Sequence, residues 1–217
     1  MKRDFSIPNL GECRHEAPPV AGFYVGKDDG ILVDARVSAG KKFDESSAFM
    51  ELAGPRKRIF FDPPSTHAAI VTCGGLCPGL NDVIRGVTMV LWYRYGVRKI
   101  SGLRYGYEGL VENLHKAMPL DPEVVEDIHK LGGTILGSSR GPQDTHKMVD
   151  FLVNNMIDIL FTVGGDGTQA GALAIAREIK RRNLDIVVVG IPKTIDNDIS
   201  YTERTFGFET AVAMSQA

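Results

Sequence analysis

Two short segments hold the side chains best suited to chemistry. Gly164-Gly165-Asp166-Gly167-Thr168 and Pro192-Lys193-Thr194-Ile195-Asp196-Asn197-Asp198 each follow an apolar run, so three acids stand at the ends of predicted strands. Glycines let main-chain N–H groups close on phosphate oxygens, one acid can hold the magnesium that neutralises them, and another can take a proton from an acceptor hydroxyl. This combination describes phosphoryl transfer. An acid between two glycines at a strand end contributes little to a core, so the first turn points to function more directly than an ordinary glycine loop does.

The elements around these turns alternate. From residue 66 the pattern predicts strands over 68–73, 99–103, 134–136, 157–163 and 185–191. A helix over 81–95 shares the face of Ile84, Val87, Thr88 and Leu91. A second starts at Asp121-Pro122-Glu123 with Val124, Val125, Ile128 and Leu131 inward and ends at Gly132-Gly133. Asp144 caps a third, which carries Met148, Phe151, Leu152 and Met156. A fourth runs through Leu173, Ala176, Ile179 and Lys180, and a fifth begins near Phe208. Such alternation means an α/β fold, a Rossmann-like parallel sheet with helices on both faces joined by right-handed crossovers. Ligands of open sheets bind beyond the carboxyl ends of the strands. Four loops are expected there: residues 74–79, the turn at Arg140, and the two segments above. Residues 1–65 lack a sustained period and read as an extension with a few short strands, leaving 66–217 as the regular domain.

Composition narrows the partners. Of 217 residues, 43% are hydrophobic, enough for a packed core, and the 25 basic and 27 acidic side chains nearly cancel. No stripe of Lys and Arg is long enough to grip a nucleic acid or an anionic membrane, and Lys180-Arg181-Arg182 reads as a helix C-terminal cap. Three cysteines, Cys13, Cys73 and Cys77, make neither an even disulfide framework nor a paired zinc spacing, which fits a reducing, cytoplasmic setting. Cys73 and Cys77 read as small fillers of a crowded turn. Lys2, Arg3, Asp4, Pro8 and Glu12 do not form a secretory signal, and no run reaches membrane-spanning length. His115, His129 and His146 are expected on the surface, and Trp92-Tyr93-Arg94-Tyr95 in packing.

The segments Thr72-Cys73-Gly74-Gly75-Leu76-Cys77-Pro78-Gly79-Leu80-Asn81 and Gly137-Ser138-Ser139-Arg140, followed by the two acidic turns, resemble the phosphofructokinases in order and spacing. The resemblance covers about residues 66–217, and Phe206-Gly207-Phe208-Glu209-Thr210 continues it. Arg58-Ile59-Phe60-Phe61-Asp62-Pro63 is similar to a branch found in plants, protists and some bacteria, close to the pyrophosphate-using enzymes although many members use ATP. No Walker A lysine, protein-kinase HRD or DFG triplet, or dinucleotide GxGxxG is present. NAD kinases and lipid kinases carry turns like 164–168, without the 72–81 loop or the 194–198 turn.

The resemblance implies transfer of the γ-phosphoryl group of ATP to the 1-hydroxyl of fructose 6-phosphate, giving fructose 1,6-bisphosphate and ADP in glycolysis. Gly75 would lie under the nucleotide phosphates. Arg140 and Gly141 would sit beside the transferring group, the guanidinium donating charge-assisted hydrogen bonds. Asp166 would hold Mg2+, with Gly165, Gly167 and Thr168 lining the nucleotide. Thr194 would touch the sugar or the phosphoryl group in flight, and Ile195 and Asp196 would face the sugar phosphate, with Asp196 as base. Asp198 either caps the following turn or makes an outer contact to magnesium, and Tyr105 and Tyr107 either pack or border the adenine.

Two positions bear on the donor. Pyrophosphate users of the family carry an acid where this chain has Gly167, so the glycine leaves room for ATP. They share a lysine at Lys193, which argues the other way; Gly167 carries more weight, because it removes a block. A pyrophosphate-dependent enzyme and a non-catalytic nucleotide-binding half remain as alternatives. The family's usual chain continues well past position 217, so the sequence reads as the nucleotide-binding half of a two-domain phosphofructokinase, incomplete at its C-terminus and inactive alone. The full-length protein would be a dimer or tetramer.

Overall fold

The structure, a computed structural model, describes residues 5, 7–19, 23–33, 49–111 and 115–216. Lys2, Arg3, Asp4 and Ala217 lie outside them. The chain divides into two units, Met1–Phe60 and Phe61–Ala217. In the first, His15–Glu16 pairs antiparallel with Arg58–Ile59, and Gly30–Leu32 with Phe49–Glu51. Arg56 bonds Glu51 Oε1 at 2.7 Å and the Leu52 carbonyl at 2.9 Å.

The second unit is built on a five-stranded sheet. Its strands are β1 (His67–Thr72), β2 (Lys99–Leu103), β3 (Met118–Pro119), β4 (Ile159–Gly164) and β5 (Val187–Pro192), in spatial order β3-β2-β1-β4-β5. β2, β1, β4 and β5 run parallel, and β3 adds an antiparallel edge. Every residue of the central β1 is buried, as its near-continuous apolar run requires of a parallel strand covered on both faces. Alternate side chains serve different layers. Ala68 and Ile70 join Leu80, Ile84 and Leu91 in one core, while Ala69 and Val71 join Met148, Leu152, Leu160, Ile175 and Ile179 in the other. The first core lies under α1 (Leu80–Met89), continued by a π-helical turn Val90–Tyr95, and under the single turn α2 (Pro122–Val125). The second lies under α3 (Thr145–Asn154) and α4 (Asp166–Arg181). Last comes α5 (Phe208–Ser215). The expected α/β sheet with helices on both faces is present.

Local departures have physical causes. Residues 134–136 form a turn, because the N–H of Leu136 donates to Thr134 Oγ1 at 3.2 Å and that of Gly137 to the Thr134 carbonyl at 3.2 Å, in place of a ladder. The helix after Asp121 stops at Val125 and resumes as a 3-10 turn over Ile128–Lys130. That break buries Val125 and Ile128 and leaves Val124 and Leu131 exposed, against the expectation that all four face inward. β5 is an edge strand with one neighbour, so Val189 is exposed despite the apolar run. Both capping acids behave as expected: Asp121 accepts from Val124 N at 2.8 Å and Asp144 from His146 N at 2.9 Å.

α3 and α4 are tied by charge. Glu178, little exposed, accepts from Arg181 at 2.7 Å and Arg182 at 2.6 Å, with His146 Nδ1 at 2.8 Å; Arg182 also reaches Asp150 Oδ1 at 2.5 Å. The hydrogen bonds from Arg181 and then Arg182 hold the Glu178 carboxyl well below the usual carboxylate range. A depressed carboxyl contributes stability that is present above its unfolded pKa, near 4.5, and is lost as pH falls below that value. Melting temperatures followed from about pH 5 to about pH 3 are expected to fall more steeply for the unmodified protein than for Glu178→Gln; parallel curves would show that the charge contributes nothing.

Candidate functional site

The strand order reverses between β1 and β4, and their carboxyl ends adjoin. The Cys73 N–H donates to the Val163 carbonyl at 2.9 Å, extending the ladder one rung beyond β1. Gly74 then turns with φ 81°, and its N–H donates to the Ser139 carbonyl at 3.0 Å while Ser138 Oγ donates to the Gly74 carbonyl at 2.7 Å. The glycine loop and the turn before Arg140 are thereby one assembly. On the β4 side, Gly164 passes so close that a Cβ there would strike Thr168 Oγ1 and the Cys73 carbonyl. Glycine is a packing requirement at that position.

A cavity of about 590 Å³ opens above this junction. Gly75, Arg140, Gly141, Gly165, Asp166, Gly167, Thr168 and Lys193 all line it, which brings together every nucleotide-side residue expected from the sequence. Its floor is the start of α4, a helix of sixteen residues whose first N–H groups and positive dipole end favour an anion. Asp166 and Gly167 are exposed at that terminus, and Thr168 is buried. A Cβ at Gly167 would meet nothing within 4 Å, so the protein's own packing does not call for glycine there. Above Gly75 the Arg140 guanidinium comes within 3.3 Å of where a Cβ would stand.

Lys193 is buried, 5% exposed, and its N–H donates to the Gly164 carbonyl at 3.0 Å, where β5 runs beside β4. Burial pushes the Cys73 thiol up to about 12, partly offset by the Lys193 charge, and raises the Cys77 thiol as well. Both are buried and free, so they fill space, as expected, and do not act as thiolates.

Sequence reasoning left the role of Tyr107 open. Its ring lines the cavity and packs against Gly171, where a Cβ would meet the ring at 2.6 Å, and its hydroxyl donates to the Thr168 carbonyl at 2.8 Å. Burial raises the phenol further from ionisation, so it stays a donor. Tyr105 instead tilts against His115, ring centroids 4.2 Å apart, which leaves that histidine half-buried. Pro142, Gln143, Thr145 and Ala174 also line the cavity and were not singled out from the sequence. The small side chains Ala170, Gly171 and Ala174 follow the acidic turn on α4 and were a legible sign of space.

Thr194, Ile195 and Asp196 follow β5 and are not part of the cavity lining. Their turn is organised from within. Thr194 Oγ1 donates to Asp198 Oδ1 at 2.6 Å and accepts from the Asp196 N–H at 3.0 Å. Asp198 therefore braces its own turn. Asp196 is exposed. Among the described residues no group of three or more His, Cys, Asp or Glu could hold a metal ion. One exposed carboxylate at the edge of the cavity, Asp166, would suit a Mg2+ that takes its remaining ligands from phosphates and water.

The phosphofructokinase family model matches residues 67–216. The ATP-dependent 6-phosphofructokinase of Entamoeba histolytica is 51% identical over 213 residues, covering 97% of this chain and 48% of that protein. The enzyme of the same description from Trypanosoma cruzi is 60% identical over 168 residues, 77% of this chain and 35% of that protein. Among solved structures, Pichia pastoris phosphofructokinase in the T-state superposes with a TM-score of 0.61 at 25% identity, covering 79% of this chain and 20% of that one. The chain spans about half the length, or less, of the curated relatives it matches.

Tyr107→Phe deletes the bond from the Tyr107 hydroxyl to the Thr168 carbonyl, which keeps its place in the α4 hydrogen-bond ladder. A loss of about 0.5–1.5 kcal/mol in stability is expected from urea unfolding; an unchanged midpoint would mean that this bond adds nothing to stability.

Proposed function

The chain belongs to the phosphofructokinase family, and from that premise we propose that the whole protein transfers the γ-phosphoryl group of ATP to the 1-hydroxyl of fructose 6-phosphate. The observation that carries the ATP reading is the open space at Gly167, at the N-terminus of α4. A side chain at 167 would project into the room a nucleotide needs. Triphosphate oxygens would meet the N–H groups of 165–168 and the glycine loop at Gly74-Gly75, with Arg140 and Gly141 beside the transferring group. The cavity walled by Tyr107, Gly171 and Ala174 is left for the rest of the nucleotide.

Asp166 would hold Mg2+, which neutralises phosphate charge and so eases departure of the ADP oxygen. Thr194 and Ile195 would face the acceptor. Asp196 would accept the proton of the 1-hydroxyl as that oxygen bonds to the γ-phosphorus and the bridging bond to ADP breaks. Exposure of Asp196 suits this role, since the acceptor must reach it. We further infer that residues 1–65 are an extension to a nucleotide-binding domain over 66–217, that the whole protein is a dimer or tetramer, and that it acts in the cytoplasm. Among the described residues no helix is long and apolar enough to cross a membrane.

A pyrophosphate-dependent reading is favoured by one observation, the buried Lys193 in the cavity wall. A compact ammonium there would suit a small, highly charged donor. Initial rates of the whole protein with fructose 6-phosphate, Mg2+ and each donor separate the two. ATP is expected to give the faster turnover, and faster turnover with pyrophosphate would overturn the proposal. Gly167→Asp is expected to keep the melting temperature while raising KM for ATP at least about tenfold, because the carboxylate enters phosphate space. Asp196→Asn is expected to lower kcat by about 10²–10⁴-fold with KM for ATP little changed, the usual contribution of a positioned base.

A further inference from the structure

Asp196 sits in a turn where its backbone N–H is the group held, by Thr194 Oγ1 at 3.0 Å, and its carboxylate is turned to solvent. The direction of that carboxylate therefore depends on how firmly the turn itself is fixed. The next residue supplies a fixture. Asn197 adopts φ 55°, a left-handed conformation that asparagine tolerates better than most side chains. Its Oδ1 accepts from the Thr205 N–H at 2.8 Å and from the Thr205 hydroxyl at 3.2 Å, and its Nδ2 donates to the Glu203 carbonyl at 3.3 Å. All three contacts agree on one orientation of the amide, since a flip would set N–H against N–H and oxygen against oxygen.

The segment that Asn197 grips is anchored in turn. The Thr205 hydroxyl also lies 3.4 Å from the Thr194 carbonyl. The Cys77 thiol donates to the Phe206 carbonyl at 3.2 Å, and a Cβ on Gly207 would strike the Pro78 carbonyl and Cys77 Sγ. Phe206 and Gly207 are thus pressed onto the loop that follows β1, the same loop whose glycines line the cavity. A continuous path runs from that loop through Phe206, Thr205 and Asn197 to the backbone of Asp196.

We propose that Asn197 is a positioning residue for phosphoryl transfer: its amide ties the turn bearing the base to residues 203–205, and through them to the loop after β1, so that Asp196 is held in register with the donor side. This rests on the function proposed above. A turn residue chosen only for its left-handed conformation would be replaced by glycine without loss, whereas a positioning residue would not. Misplacement of a reacting group by about 1 Å costs on the order of 10²-fold in rate.

The test uses the whole protein with Mg2+, ATP and fructose 6-phosphate. Asn197→Gly keeps the backbone conformation and deletes the three bonds. It is expected to lower kcat by about 30-fold or more with KM for ATP within about twofold, and to speed amide exchange at 194–206 while leaving 73–76 and 165–168 unchanged. Thr205→Val, a second variant should the first not fold, is expected to give a smaller loss of kcat, and Thr205→Ser to restore it. The double variant Asn197→Gly with Thr205→Val is expected to lose less than the product of the two single losses, because both side chains act through one link. Unmodified kcat and exchange in Asn197→Gly, or additive losses in the double variant, would overturn the inference. Absence of turnover in the unmodified protein would instead refute the functional reading beneath it, and the exchange arm would still show whether the link exists.

Discussion

The last rung between β1 and β4, from the Cys73 N–H to the Val163 carbonyl, is the constraint from which the site follows. A single backbone bond adds only about 1 kcal/mol net, but both partners are buried and leaving either unpaired costs more. With the rung in place, the chain leaves β1 and β4 at the same level and must turn away twice in a narrow space. Gly74 provides one turn with φ 81°, and Gly164 allows the other to pass against the Cys73 carbonyl. With the two strand ends held at one level, the start of α4 and the glycine loop face one cavity. A sheet whose order reverses at this point exposes its crevice there and nowhere else along these strands.

Charge is distributed with the same economy. The cavity combines the positive end of α4, a buried lysine and an arginine that rests over Gly75, against the single carboxylate of Asp166. An anion entering it meets donors already oriented, so little reorganisation is needed on binding. Glu178 gathers Arg181, Arg182 and His146 at the other end of α4, which fixes α3 against α4 and so fixes the wall that Met148 and Thr145 contribute. Stability and site geometry are linked through one helix whose two ends serve different purposes.

What the sequence made legible was whatever depends on local pattern. Long apolar runs identified β1, β4 and β5, and an acid between glycines identified the start of α4. Where neighbours distant in sequence decide, the pattern misled. Residues 134–136 read as a strand yet close a turn on Thr134, and Met118–Pro119 pairs at the sheet edge although two residues with a proline give no strand signal. Val124 and Leu131 suited an inward helix face until the break at Glu126-Asp127 rotated them outward. At the site, the Tyr107 hydroxyl reaches across sixty-one positions to Thr168, and Asn197 reaches eight positions on to Thr205. Neither partner is readable from spacing: the folded sheet brings Tyr107 to Thr168, and the loop after β5 closes on itself to bring Asn197 to Thr205.

The function proposed above requires the β1–β4 junction to hold the donor's phosphates. A crystal structure of the whole protein with Mg2+ and a non-hydrolysable ATP analogue tests it directly. The triphosphate is expected on the N–H groups of 165–168 and Gly75, the guanidinium of Arg140 beside the γ-phosphate, and the metal on Asp166. Phosphates seated away from the start of α4, or a metal bound without Asp166, would contradict it.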